Sequence, residues 1–135
     1  GAYIAVIMKM LDAIDKNENP IIYGDGSECF DFISVEDCAL ANICAIKSGQ
    51  VNNFYNVGTG VQTSLKELAE MLLLLTNNNL KIEYIKKNET TFVKNRIGCP
   101  KKAKKQINFQ SKLTLEEGLK NLIEWRSEHK KNFKN

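Results

Sequence analysis

The chain has 135 residues, 43% of them hydrophobic and 26% charged, which is the composition of an ordinary globular protein able to bury roughly two-thirds of its unfolded surface as one domain. No apolar run reaches the roughly 18 residues of a membrane span and no signal-peptide pattern is present, so neither a membrane partner nor export is expected and a reducing cytoplasm is. The net charge of +3 rests mainly on lysines, densest at Lys101-Lys102-Ala103-Lys104-Lys105; without a nucleic-acid module beside them, they read as a solvated face rather than a nucleic-acid footprint.

Residues 2–15 predict a largely apolar helix, stopped by Asn17-Glu18-Asn19-Pro20. Ile21-Ile22-Tyr23 predicts a strand, Gly24-Asp25-Gly26 a tight reversal using positive φ, and residues 29–33 a returning strand, together a hairpin. Ser34-x-x-Asp37 has capping-box spacing and opens a helix over 35–47, expected to be buried on much of its surface through Val35, Cys38, Ala39, Ile43 and Ile46. Gly49 suits the left-handed residue after that helix.

Residues 53–57 predict a short strand before Gly58-Thr59-Gly60. A second capping box, Ser64-x-x-Glu67, heads a helix over 65–75 with Leu65, Leu68, Ala69, Leu72 and Leu75 on one face. Asn77-Asn78-Asn79 breaks the chain, residues 80–85 alternate as a strand, and 86–99 read as a surface loop. Residues 101–106 predict a short helix, and Ile107-Asn108-Phe109 an apolar plug. Thr114-x-x-Glu117 starts a last helix through Leu119, Leu122, Ile123 and Trp125, with a frayed tail over 130–135. The expectation is a mixed α/β fold in a single domain, residues 1–135.

Candidate chemistry is sparse. Cys29, Cys38, Cys44 and Cys99 lack metal-ligand spacing, and His129 is the only histidine, so structural thiols are expected and no metal site. Gly58-Thr59-Gly60-x-x-Thr63 imitates a dinucleotide fingerprint but has Thr63 where the third glycine belongs, and a structural turn is the better reading. Asp31, Glu36 and Asp37 offer an acid–base cluster, yet Asp37 is better explained as a helix cap. Lys94 and Arg96 are the best candidates for holding an anion, because an arginine fork matches phosphate oxygens.

The run from Pro20 to Ser27, then Asp31 to Asp37, resembles the extended short-chain dehydrogenases, specifically the NAD-dependent nucleotide-sugar epimerases and dehydratases of the UDP-glucose 4-epimerase kind. Phe54 to Gly60, Thr63 to Ala69, Lys102-Ala103, Leu115 to Leu119 and Ile123-Glu124-Trp125 continue the likeness in order. The resemblance implies the substrate-binding, C-terminal half of such an enzyme, lacking most of the Rossmann sheet, with no catalytic residue: the Gly-rich opening and the Tyr-x-x-x-Lys are not in this sequence, and NAD would bind an N-terminal half. It implies a UDP-sugar 4-epimerase, with a 4,6-dehydratase or decarboxylase as the alternative within the family and a stand-alone binding module as the alternative outside it. This part alone would be inactive, and a cytoplasmic homodimer is expected, either of the full-length parent or through exposed apolar faces of this part.

Carried over by position, Ala5 and Val6 match the segment lining the nucleotide site, and Ile21 and Tyr23 the strand that embraces the uracil. Phe30 stands where many members have a phosphate-binding Arg, and Glu89 where many have a second. Lys94 and Arg96 are the nearby cations that would compensate, Arg96 also falling near a position that governs which sugars are accepted. The same resemblance implies that parts of 35–47 and 53–57 are left with exposed apolar faces here.

Overall fold

A computed structural model describes residues 6–86 and 94–132. In chain order the elements are α1 (Val6–Asp15), β1 (Ile21–Tyr23), β2 (Cys29–Phe30), α2 (Val35–Lys47), β3 (Thr63–Ser64), α3 (Leu65–Leu75), β4 (Glu83–Ile85), β5 (Asn95–Arg96), α4 (Lys101–Ile107) and α5 (Leu115–Asn132), a mixed α/β arrangement. They fall into two compact units: residues 1–30 with 63–95, and residues 31–62 with 96–135.

In the first unit α1 packs on α3. Met10, Leu11 and Ile14 are buried on α1, and Leu65, Leu68, Ala69, Leu72 and Leu73 on α3, each set recurring at the three-to-four-residue spacing that keeps side chains on one helix face. The predicted capping box is present. Ser64 Oγ accepts the Glu67 N–H at 3.1 Å while Glu67 Oε2 accepts the Ser64 N–H at 2.7 Å, satisfying two donors that the first helical turn leaves open. α1 stops where Asn17 takes φ +60°, with the Asn17 and Glu18 N–H groups returning to the Ile14 and Ala13 carbonyls at 2.9 Å.

The expected hairpin does not form. β1 pairs in parallel with β4, Ile22 opposite Tyr84, whereas β2 pairs antiparallel with β3, Cys29 opposite Ser64. The reason lies in the Gly24–Gly26 turn, whose backbone bonds outward: the Gly24 N–H donates to Ile85 O at 2.9 Å, and Gly26 O accepts the Lys66 N–H at 3.1 Å. Gly26 combines φ +78° with a tight fit, since a β-carbon there would lie 3.2 Å from Lys66 Cβ and 3.3 Å from a Tyr84 ring carbon.

In the second unit α2 packs on α4. The core is Ala41, Ala103, Ile107 and Phe109, with Ile33, Leu40, Cys44, Ala45 and Tyr55 packed against it. Asn108 at φ +54° ends α4 and turns Phe109 back, its N–H reaching Ala103 O at 3.3 Å, so the apolar plug forms as the sequence suggests. The Thr114–Glu117 box also forms, with N–H bonds of 2.8 and 3.2 Å.

Three expectations are corrected in this unit. Asp37 does not cap its own helix. Ser34 Oγ accepts from the Glu36 N–H instead, and the buried Asp37 carboxylate accepts the Lys112 and Leu113 N–H groups at 2.9 and 3.1 Å, tying the approach to α5 onto α2. α2 is not buried on much of its surface: only Asp37 and Ala41 are fully enclosed, and Val35 and Ile46 are 81% and 82% exposed. Residues 53–57 are not a strand, because no ladder partner lies beside them among the described residues; Phe54 is 88% exposed and its carbonyl accepts from Lys102 Nζ at 2.9 Å. Exposed apolar side chains at Val35, Ile43, Ile46, Phe54 and Val57 agree with what the resemblance implied for these segments.

Candidate functional site

One face of α1 and the strand that follows it make a groove of about 280 Å³ in the first unit, lined by Val6, Lys9, Met10, Ala13, Ile21 and Tyr23. Its geometry follows from two periodicities. Positions 6, 9, 10 and 13 share a helix face, and Ile21 and Tyr23 share a strand face while Ile22 between them turns into the core. Tyr23 is 58% exposed, which leaves its ring open to a flat ligand beside apolar walls, and Lys9 is the charged side chain on the rim.

Of the residues singled out from sequence, Val6, Ile21 and Tyr23 meet in this groove; Lys9, Met10 and Ala13 were missed, although the helical spacing from Val6 marks them. Phe30 and Lys94 belong to the same unit without lining the groove. Phe30 is half-buried, opposite Thr63 in the β2–β3 register, and exposed Lys94 offers its carbonyl to the Cys29 N–H at 2.8 Å. Lys94 also adds its charge to the Ser27 hydrogen bonds that hold the Asp25 carboxyl below its ordinary range. Ala5 and residues 88–91, with Glu89 among them, lie outside the described residues.

Exposed Arg96 belongs to the second unit, where the strongest polar arrangement surrounds Asp31. One carboxylate oxygen of Asp31 accepts the Thr59 N–H at 3.0 Å and the Thr59 hydroxyl; the other accepts the Gly60 and Gly98 N–H groups at 2.9 and 3.2 Å. The Asp31 N–H donates to Arg96 O at 3.0 Å. A β-carbon on Gly58 would sit 2.5 Å from Asp31 Oδ2, so the carboxylate nests where only glycine leaves room. Burial pushes the Asp31 carboxyl up, but the hydrogen bonds from Thr59, Gly60 and Gly98 outweigh it and hold it below the usual aspartate range. Asp31 is therefore an acceptor of four donors and a poor proton donor near neutral pH, which removes it from the acid–base cluster suggested with Glu36 and Asp37. Among the described residues no group of three His, Cys, Asp or Glu side chains is placed to hold a metal ion.

The sequence model of a protein family described as GDP-mannose 4,6 dehydratase matches residues 2–122. The chain belongs to this family of NAD-dependent nucleotide-sugar epimerases and dehydratases. It is 32% identical over 120 residues to a protein of Methanocaldococcus jannaschii provisionally named UDP-glucose 4-epimerase, covering 89% of this chain and 38% of that protein. It is 30% identical over 139 residues to human dTDP-D-glucose 4,6-dehydratase, covering 96% of this chain and 39% of that one. Among solved structures, the UDP-glucose 4-epimerase of Thermotoga maritima with UDP-glucose superposes with a TM-score of 0.87 at 28% identity, over 95% of this chain and 41% of that chain. The 135 residues thus span about two fifths of the length of these relatives.

NAD is the cofactor the family uses, and Gly58-Thr59-Gly60 is the stretch of this sequence that imitates its binding fingerprint. The turn does not fit that role. The N–H groups of Thr59 and Gly60, which a pyrophosphate would need, already donate to Asp31. No redox step is assigned to these residues.

Proposed function

We propose that this chain is the nucleotide-sugar-holding part of a UDP-sugar 4-epimerase, with NAD and the catalytic tyrosine and lysine carried by a separate part of the parent protein. The observation that carries the reading is the gathering of Val6, Ile21 and Tyr23 on one groove, three positions that the family resemblance assigns to the nucleotide. The backbone likeness to an epimerase structure determined with UDP-glucose supports it. In this role Tyr23 stacks on the uracil against the apolar wall of α1, a contact worth about 1–3 kcal/mol per base. Lys94, in the same unit as the groove, supplies a positive charge for an anionic part of the substrate, and Arg96, in the other unit, is the second candidate cation. The protein's part is orientation, which confines the sugar while the cofactor's chemistry proceeds.

The test is turnover by the intact gene product on UDP-glucose, UDP-N-acetylglucosamine and dTDP-glucose, with product stereochemistry resolved. C4 epimers are expected. A 4-keto-6-deoxy product would instead establish the dehydratase reading, which the human relative favours. Binding to this chain separates the proposed ligand residues from structural cations: Arg96→Ala weakens UDP binding more than Lys102→Ala, because Lys102 is engaged with Phe54 O and lies 5.1 Å over the Tyr55 ring. Equal effects would remove Arg96 from the site.

A further inference from the structure

Among the described residues, Lys9 is the one charged side chain that lines the groove of the first unit, and it breaks a lining otherwise built from apolar and aromatic groups. It stands on the helix face that also carries Val6, Met10 and Ala13, where the spacing would suit another apolar residue. The side chain is exposed, and its ammonium has no hydrogen bond or ion pair among the described residues. A lysine so placed lays its methylenes along apolar surface and keeps its charge at the wet edge.

The groove, about 280 Å³, falls just below the roughly 300 Å³ at which pockets for drug-sized ligands begin, so it suits one planar ring of a nucleotide and leaves sugar and phosphates outside. Lys94, the cation of this unit assigned to an anionic part of the substrate, does not line it. The charge on the groove is therefore placed to meet the base. An ammonium offers three donors and no acceptor. Uracil presents the oxygen O4 where cytosine presents an amino group that donates. We propose that Lys9 is the base-selecting residue of this groove: its ammonium donates to O4 of uracil, whereas cytosine in the same pose sets donor against donor. This rests on the reading of the groove as the nucleotide site given above. Thymine carries the same oxygen, so Lys9 admits dTDP as it does UDP and sorts pyrimidines by the group at C4 alone.

The test titrates this chain with uridine and cytidine, neutral nucleosides that take phosphate out of the comparison, and reads affinities from the nuclear magnetic resonance signals of Ile21 and Tyr23. Wild type should prefer uridine by about tenfold, the low end for a hydrogen bond to a charged group, because the ammonium is exposed. 5-Methyluridine should match uridine. Lys9→Met keeps the bulk and the helix propensity, and should bring the two affinities together through a loss for uridine. Lys9→Gln has a donor for O4 and an acceptor for the amino group, so cytidine should rise to meet uridine. A merely structural role would move both nucleosides alike. Uridine that shifts neither Ile21 nor Tyr23 overturns the nucleotide reading of the groove and this inference with it. Uridine and cytidine bound equally well by wild type, or a preference that survives either variant, overturns the inference alone. So does a Lys9→Met protein that loses affinity for UDP with its uridine-to-cytidine ratio intact, since the lysine then meets phosphate.

Discussion

Helices α2 and α3 look alike as sequence and differ as structure. Both are short, both follow a serine N-cap, and both carry an apolar stripe. On α3 the stripe is enclosed, with Leu68, Ala69 and Leu72 fully buried. On α2 the enclosed line is Ala41 with Leu40, Cys44 and Ala45 against the second core, while Val35, Ile43 and Ile46 face outward. The difference teaches that an amphipathic pattern records that a face is apolar and says nothing of what covers it. Here the chain spans two fifths of its relatives, so a face can be apolar without a cover among these residues.

The largest expected effect sets those helices against each other. Leu68→Ala should destabilise the chain by about 2–5 kcal/mol in urea denaturation, the cost of lost burial plus a cavity. Ile46→Ala should stay within about 0.5 kcal/mol of wild type. Comparable losses would mean that α2 is packed like α3. Next comes Asp37→Ala, which strips the acceptors from the Lys112 and Leu113 N–H groups; a loss of about 1–3 kcal/mol is expected, with the signals of residues near the start of α5 shifting most.

A smaller effect appears only in acid. The folded-state pKa of Asp31 lies below its unfolded value, so its contribution is complete above the ordinary aspartate range near pH 4 and is lost as pH falls through the depressed folded value. The capping carboxylates Glu67 and Glu117 move in the same direction, each held low first by a backbone N–H of its cap residue and then by that residue's hydroxyl. The stability gap between wild type and Asp31→Asn should therefore be present at pH 7 and narrow as pH falls below the ordinary aspartate range. A gap that persists in strong acid would show that Asp31 acts through shape and not charge.

What could be read in advance divides by range of interaction. The helices over 35–47 and 65–75 and the two Ser/Thr-x-x-Glu boxes were legible because each is decided within one or two turns of chain. The pairing of the strands was not. Gly24-Asp25-Gly26 announces a reversal, but that β1 joins β4 and β2 joins β3 depends on partners some 33 to 62 residues away, and strands of two or three residues carry no period of their own. The two aspartates show the same limit. Asp37 has the spacing of a cap and Asp31 offers, with Glu36 and Asp37, an acid–base cluster, yet both aspartates are engaged by backbone N–H groups far along the sequence. For the candidate site, Val6, Ile21 and Tyr23 were marked by resemblance, and Lys9, Met10 and Ala13 could have been added from helical periodicity alone.

The smallest effect on stability gives the sharpest reading of the comparison. Replacing Val35 and Ile46 together by lysine places two charges on the outer face of α2. If that face is as open as the structure has it, both ammonium groups stay hydrated, the helix gains residues of better propensity than valine and isoleucine, and unfolding free energy changes by no more than about 0.5 kcal/mol. The same pair on α3, at Leu68 and Leu72, would have to bury two charges and should abolish folding. The surface property should nonetheless change, because the α2 variant removes two large apolar side chains from solvent contact. Binding of a hydrophobic fluorescent dye by native protein should fall, at unchanged urea midpoint. A midpoint that drops with the dye signal would place Val35 and Ile46 in a packed interior and erase the distinction between the helices.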